Sequence, residues 1–508
     1  MCGIIGVYLK GDQPASILVP QIAISGLSML QHRGQRSAGI SVYNPQISGE
    51  PNRKIIVTHK EPGLVSEVFR LNHPHAHKTL LQRCIGKAAI GHTRYSTAGS
   101  RDDPFLAIDE AQPFERRHPR AFRRFAICFN GNLSNYSELA REMTDKQYIL
   151  ETDVDTEVLM NLLSLTIAKH SENSDGEPKK PDLFSVAKGL TTRLDGAYNI
   201  LSLFGDGDLL AFRDPQGFHP LCWGENEECY AVASESAALE SMGITKFKDI
   251  DPGEALIINS SGVESENLVN NGKSFCHFEK VYFSKSHSKI NGVPVKDDRI
   301  RLGVELAKEE YLDTSDSSYL VVPAPFTAIP AAESFAKHLG IEFKQAIEKS
   351  GGMRGFINGK DERKRIMNSG YSFHYDLGGR KVIIVDDSIV RGETSAKLVG
   401  GVRARGALEV HLRSTEPPIK NPCYYGIDYP NREELIAARL SKDNLPIEEL
   451  ESRVAREIGA DSVRFQTIEG LVRAIGTPAN ELCLACLTGE YPTTYGAKRA
   501  HSHSYSEL

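Results

Sequence analysis

Three groups of residues in this 508-residue chain are of types, and at spacings, that could do chemistry. Cys2 is the first. A small residue after Met1 favours removal of Met1, which would leave Cys2 as the terminal residue. A terminal cysteine carries a nucleophile and its own base, because an α-amino group titrates near ~8 and is partly neutral around neutral pH. The second group lies at 381–395. There the unbroken apolar run Val382, Ile383, Ile384 and Val385 predicts a buried parallel strand. Asp386 and Asp387 follow at once, then Arg391, Gly392, Glu393, Thr394 and Ser395, leading into a helical pattern. Ligands of open α/β sheets bind outside the carboxyl ends of the strands. A helix start there offers unpaired N–H groups and a positive dipole end to an anion. Two carboxylates beside such a cradle suit a sugar phosphate, the acids taking hydroxyls and the amides the phosphate. The third group is Cys483-Leu484-Ala485-Cys486, which by itself reads equally as a zinc half-site, a redox pair or a coincidence.

Three further strings change what Cys2 means. They are His32-Arg33-Gly34-Gln35, Gly91-His92-Thr93-Arg94-Tyr95-Ser96-Thr97-Ala98-Gly99, and Asn130-Gly131-Asn132-Leu133, with Asp155 downstream. Together with Cys2 they resemble a class II, N-terminal-nucleophile glutamine amidotransferase domain over roughly the first half of the chain. The resemblance implies that Cys2 attacks the side-chain amide of glutamine and gives a thioester plus ammonia. The Asn130 amide and the Gly131 N–H would stabilise the oxyanion. Arg94 would pair with the substrate α-carboxylate, and Asp155 with its α-ammonium. Members of the family usually carry His before the NGN string, where this chain has Phe129, and Asn before the AQPF string, where Glu110 stands. Both changes are expected to lie beside the site. Phe218 and His219 replace the usual Ile-Arg in the 217–220 turn.

The string from Asp386 to Gly392, DDSIVRG, resembles the phosphoribosyl pyrophosphate loop of type I phosphoribosyltransferases, in the form found in the amidophosphoribosyltransferase family. That resemblance covers nearly the whole chain. It implies glutamine-dependent transfer of ammonia to C1 of phosphoribosyl pyrophosphate, giving phosphoribosylamine, pyrophosphate and glutamate, the entry step of purine synthesis. Asp386, Asp387, Arg391, Gly392, Thr394 and Ser395 would hold the phosphoribosyl group. Thr327, Asp386 and Asp387 would serve Mg2+. Two loops depart from the family. Phe326, Thr327 and Ala328 stand where it has Asp-Ser-Gly, and 349–357 lacks the Arg-Tyr pair of the lid. Glu393 replaces a threonine, and 367–377 does not resemble the family's basic segment. These departures support two other readings. One is an amidotransferase with a different phosphosugar or nucleotide-like acceptor, in secondary metabolism. The other is a non-catalytic, nucleotide-sensing scaffold whose cluster is a redox sensor. The sequence around Cys483 and Cys486 resembles the iron–sulfur branch of the family. Cys276, five residues before Val281, and Cys423, two residues before Tyr425, fill its other two positions. The four cysteines imply a [4Fe–4S] cluster, with zinc as the competing metal.

These residues need a scaffold. Strands are expected over 4–9, 125–129, 319–322, 381–385 and 409–413. Helices are expected over 22–30, 156–163, 297–312, from 330, and over 394–405. The NGN string should follow the end of its strand, and 281–283 should be a strand. The fold expected is α/β: an N-terminal-nucleophile αββα sandwich glutaminase domain, 2–260, then a type I phosphoribosyltransferase domain with a parallel sheet, 276–475, and a C-terminal segment, 476–508, carrying cluster cysteines. The polar stretch 259–274 reads as the connection, and 171–180 as a loop. A net charge of −6 gives no basic excess for nucleic acid. No run is long and apolar enough to span a bilayer, and no secretory signal is visible. Nine scattered cysteines, an odd count, argue against a disulfide framework and for a reduced, cytoplasmic protein. The implied partners are glutamine, phosphoribosyl pyrophosphate or a related phosphosugar, nucleotide feedback ligands and further copies of the chain, with neither nucleic acid nor membrane.

Overall fold

The strand Gly3–Leu9 is buried at every residue, and its two faces meet different layers. Ile4 and Tyr8 pack inward against Cys128, Leu201 and Leu209 of a second sheet, whereas Ile5, Val7 and Leu9 pack outward against Val19, Ala23 and Leu27 of the helix Leu18–Met29. The strand Phe125–Leu133 does the same in mirror fashion. Ala126 and Cys128 face the first sheet, while Phe125, Ile127 and Phe129 face Val158, Leu162 and Val186 of the helices Asp155–His170 and Leu183–Thr191. The result is four layers, helix–sheet–sheet–helix, with seven strands in one sheet and six in the other, their registered neighbours antiparallel.

The computed structural model describes residues 1–11, 14–47, 54–95, 108–171, 177–270, 272–349, 370–429, 431–441 and 445–505. It divides into two compact units. The first comprises Met1–Phe275 with Tyr424–Asp428 and Thr493–Leu508; the second comprises Cys276–Cys423 and Tyr429–Pro492. Ser96–Gly99, residues 350–357 and 367–369, and 172–176 lie outside the described residues.

The second unit is built on a five-stranded parallel sheet in the order Glu342–Phe343, Tyr319–Pro323, Lys381–Asp386, Glu409–Ser414, Ser462–Phe465. Helices cover both faces, as expected. Val382 and Ile384 meet Leu398 and Val402 of the helix Glu393–Ala404 on one side, and Ile383 and Val385 meet Phe335 of Ile329–Leu339 on the other. Burial on both faces is why this strand reads as continuous apolar sequence rather than alternation. In chain order the strands lie 2-1-3-4-5, so the direction of winding reverses between Tyr319–Pro323 and Lys381–Asp386. A sheet of this order binds its ligand at that reversal.

Three local expectations are corrected. Asn130–Leu133 is not beyond the strand but inside it, paired with Gly196–Asn199. Val281–Phe283 lies in a wide helical turn, Glu279–Phe283, whose buried Arg299 fork binds the Lys280, Val281 and Ser284 carbonyls. The polar stretch after Asn259 begins with an edge strand, Gly262–Asn267, paired with Glu254–Asn259; the composition of that part reflects an exposed edge. No helix among the described residues is long and apolar enough to cross a membrane.

Candidate functional site

In the first unit, strand register sets the site. Gly3 pairs with Thr93, so Cys2 falls beside the end of Ala88–Arg94, and Tyr95 N–H points at Cys2 Sγ at 3.4 Å. The Cys2 N–H donates to Asn130 Oδ1 at 2.9 Å. That bond commits the Asn130 oxygen and leaves its Nδ2, buried, with no partner among the described residues. Asn130 is itself fully buried, and an orphaned donor there is costly unless a ligand oxygen meets it. Gly131 adopts φ +156°, and a Cβ on it would lie 1.9 Å from the Ala197 carbonyl oxygen, so only glycine fits. Asp155 is the first residue of its helix, after the cap Val154. Its carboxylate accepts the Leu133 N–H at 2.7 Å. Burial pushes its pKa up to about 6, against the pull of that N–H and of the Arg499 and Arg94 charges. Cys2, Arg94, Asn130, Gly131 and Asp155 therefore come together around one strand end.

Two neighbours depart from the sequence-based expectation. Glu110 does not lie beside the site: its carboxylate is ion-paired with the Arg94 guanidinium. The segment Tyr424–Asp428, which in sequence marks only the neighbourhood of Cys423, belongs to this unit. Its Tyr424 carbonyl accepts from Asn132 Nδ2 at 2.9 Å and from the Ser134 hydroxyl at 3.3 Å. Phe218 stacks on Tyr425 at 4.2 Å between centroids, and His219 Nε2 sits 2.6 Å from the Tyr425 oxygen. The unusual Phe-His pair thus packs this segment, whose Gly426 abuts Gly131. His92, in the same strand as Arg94, is held neutral by burial, its pKa pushed down to about 3.

In the second unit the two loops of the expected sugar-phosphate site flank the winding reversal. Pro323 pairs with Val385, so Ala324–Ala328 and the turn from Asp386 leave adjacent strand ends. Asp386 and Asp387 are buried, and burial together with the Asp387 charge raises the Asp386 pKa well above the carboxylate range. Gly392, at φ +84°, turns the chain into the helix; a Cβ there would meet Ile436 Cδ1 at 2.6 Å. Arg391 is anchored to Glu434 at 2.7 Å. Ser395 is buried, Thr394 and Thr327 are half-buried, and Glu393 is exposed. Tyr371 joins this group without any forewarning in the sequence. Burial with the Asp386 and Asp387 charges pushes its pKa up to about 12, and the nearby Thr394 opposes the shift. An isolated tyrosine in a short polar strand matches no motif.

Four further thiols, Cys276, Cys423, Cys483 and Cys486, belong to this unit. His277 Nδ1 binds the Cys483 carbonyl at 2.8 Å, Cys423 N–H donates to the Tyr429 carbonyl, and Lys420 and Asn421 N–H groups donate to the Cys486 carbonyl. Burial raises the Cys276 and Cys486 thiols well above their ordinary range, with Glu279 and Glu416 adding to it. The charges of the other cysteines raise them further, so the four lie within electrostatic reach of one another. Among the described residues no group of three or more His, Cys, Asp or Glu side chains is arranged to hold a metal ion. All nine cysteines are free thiols.

Residues 103–241 match the family of glutamine amidotransferase domains. The chain is 36% identical to an amidophosphoribosyltransferase of Methanocaldococcus jannaschii, over 97% of this chain and 98% of that one. It is 38% identical to one of Pyrococcus horikoshii, over 97% and 96%. The chain belongs to the amidophosphoribosyltransferase family. A solved glutamine phosphoribosylpyrophosphate amidotransferase from B. subtilis, complexed with ADP and GMP, superposes with a TM-score of 0.78 at 34% identity, over 97% of this chain and 98% of that one. The fold expected from the sequence holds: an amidotransferase sandwich followed by a phosphoribosyltransferase domain on a parallel sheet.

Proposed function

We infer that the protein releases ammonia from glutamine in the first unit and transfers it to C1 of phosphoribosyl pyrophosphate in the second, forming phosphoribosylamine, pyrophosphate and glutamate. The observation that carries this reading is the orphaned Asn130 amide beside Cys2, in a chain that also sets a doubly acidic loop at the winding reversal of a parallel sheet. Removal of Met1 would convert the Cys2 nitrogen from a peptide amide to an α-amine still held by Asn130 Oδ1. That amine takes the thiol proton as Cys2 Sγ attacks the amide carbon. Asn130 Nδ2 and Gly131 N–H receive the oxyanion, a donor pair whose members are worth on the order of 100-fold each. Arg94 and Asp155 take the two charged ends of glutamine.

In the second unit Asp386 and Asp387 hold ribose hydroxyls, while Arg391, Gly392, Thr394 and Ser395 enclose the 5′-phosphate from the helix start. The paired buried acids fit a divalent cation, since adjacent carboxylates that resist ionising together are relieved by one. Thr327, Asp386 and Asp387 would hold Mg2+, which would supply positive charge for the departing pyrophosphate. The altered loops at 326–328 and 349–357 lack an acid and the Arg-Tyr pair of the lid and should slow this half-reaction. Cys276, Cys423, Cys483 and Cys486 suit a structural [4Fe–4S] cluster. The donors are all thiols, and they repel one another when ionised, which bound iron offsets. A polynuclear cluster also spaces its ligands more widely than a single zinc ion. The nucleotides bound to the B. subtilis relative make purine nucleotides candidate regulators, and a cytoplasmic homo-oligomer is the form proposed.

The test is anaerobic incubation with phosphoribosyl pyrophosphate, Mg2+ and either glutamine or ammonium at high pH. Near-equal release of glutamate and pyrophosphate with glutamine, and of pyrophosphate with ammonium, is expected. Glutamate without pyrophosphate, and no reaction with ammonium, would overturn the assignment of the acceptor.

A further inference from the structure

A carboxylate of the chain already occupies the cation proposed for the carboxylate of glutamine. Arg94 is only 3% exposed and its Nη1 donates to Glu110 Oε2; Glu110 is 2% exposed. The position of Glu110 is not a matter of a loose side chain. Two residues on, Gln112 bridges the sandwich: its Nε2 donates to the Thr156 hydroxyl at 2.8 Å and its Oε1 accepts the Phe129 N–H at 2.7 Å. That clamp fixes the segment carrying Glu110 between the strand of Asn130 and the helix of Asp155. Arg36 Nη2 approaches the same Glu110 oxygen at 3.9 Å, so the carboxylate has a second cation within reach.

We propose that Glu110 is a specificity-determining residue of the glutaminase unit: a resident carboxylate that competes with the α-carboxylate of glutamine for Arg94. Glutamine would bind by drawing Arg94 away from Glu110, with Arg36 left to hold the displaced group. Two carboxylates cannot share one buried guanidinium without repelling each other, and an ion pair already formed in a desolvated site must be broken before the new one gains. The competition is selective. It weakens ligands that bring a carboxylate to Arg94 and leaves alone those that bring none. It would make the enzyme answer only to high glutamine concentrations while its use of ammonium is untouched by this contact.

The inference rests on the reading of Arg94 as the glutamine-carboxylate site, and the experiment separates the two. Full-length Glu110→Gln, and as a second, shorter neutral side chain Glu110→Asn, are compared with the parent for KM of L-glutamine and of L-glutamine α-amide, which lacks the carboxylate. Rates are normalised to each preparation's ammonium-dependent rate, so that a poorly folded variant is recognised. The expected result is a fall of about tenfold or more in KM for glutamine, equivalent to ~1.4 kcal/mol, with at most a twofold change for the α-amide. An unchanged or raised glutamine KM in both variants, or an equal fall for the α-amide, overturns the proposal. Arg94→Gln tests the underlying reading alone. If it leaves glutamine KM unaltered, Arg94 is not the carboxylate site. If it raises KM for glutamine but not for the α-amide while the Glu110 variants gain nothing, only the competition is refuted.

Discussion

Replacing Asp155 with asparagine should make the first unit more stable and the glutaminase far weaker. The carboxyl is 6% exposed and its pKa stands at about 6, against an unfolded value near 3.8. A shift of ~2 units is about 3 kcal/mol of penalty on the charged form, already net of the Leu133 N–H and the two arginines. The sign follows from the protons bound. Between these two values the folded chain holds a proton that the unfolded chain has lost, so stability falls as pH rises through the window and stays low above it. Asp155→Asn keeps a side-chain oxygen for the Leu133 N–H and removes the charge. The variant should therefore exceed the parent by up to about 3 kcal/mol at pH 8 and by roughly half that at pH 5. The single tryptophan, Trp223, lies in the first unit, so its fluorescence in a urea titration reports that unit alone. Glutamine loses the counter-charge for its ammonium, and breaking a buried pair on one side costs ~3–5 kcal/mol, a rise of about 100- to 4,000-fold in glutamine KM. A variant less stable than the parent at pH 8, or one with glutamine KM within threefold of it, would refute the argument.

Asn130→Ala removes the orphaned donor, and the ratio of glutamine- to ammonium-dependent rate should drop ~100-fold or more, read by glutamate and pyrophosphate release. Tyr371→Phe deletes the hydroxyl beside Thr394 and keeps the ring; KM for phosphoribosyl pyrophosphate should rise ~3- to 10-fold, and an unchanged value would remove Tyr371 from the site. Cys486→Ser should lower bound iron and sulfide in anaerobically purified protein and abolish the visible absorbance of a cluster. Zinc in the parent in place of iron would overturn that assignment.

How much is legible in the sequence depends on whether a residue's meaning is local. The strand Lys381–Asp386 and the turn after it can be read directly, because burial on both faces and the turn into the helix are written within a dozen residues. Cys2, Arg94, Asn130 and Asp155 are legible only as a set. The register that joins them, Gly3 against Thr93 and Asn130 against Asn199, is written in pairings between distant strands. The same limit explains the errors. Asn130–Leu133 looks like a turn by composition, yet its polar residues sit in a strand because one binds the Cys2 backbone and another the Tyr424 carbonyl. Val281–Phe283 has the β-branched and aromatic residues of a strand, but the Arg299 fork gathers its carbonyls into a helical turn. Glu110 reads as peripheral because its partner is 16 residues away, at the end of a strand.

A common charge logic runs through both sites. Each places more acid around its substrate than a neutral binding pocket would hold. On the proposed assignment Asp155 and Glu110 would face the two ends of glutamine, while Asp386 and Asp387 would face the ribose. A buried acid that lacks a partner protonates, and the raised pKa values of Asp155 and Asp386 say that both acids wait for one. For Asp155 the substrate ammonium is sufficient. On the proposed reading the substrate of Asp386 and Asp387 is itself an anion, so its hydroxyls alone would not balance them and a divalent cation would arrive with it. Binding of phosphoribosyl pyrophosphate should accordingly release protons from the Asp386–Asp387 pair and depend on Mg2+ more steeply as pH falls. The same dependence should be absent from glutamine binding, because the first unit draws its compensating charge from Arg94, Arg36 and the substrate.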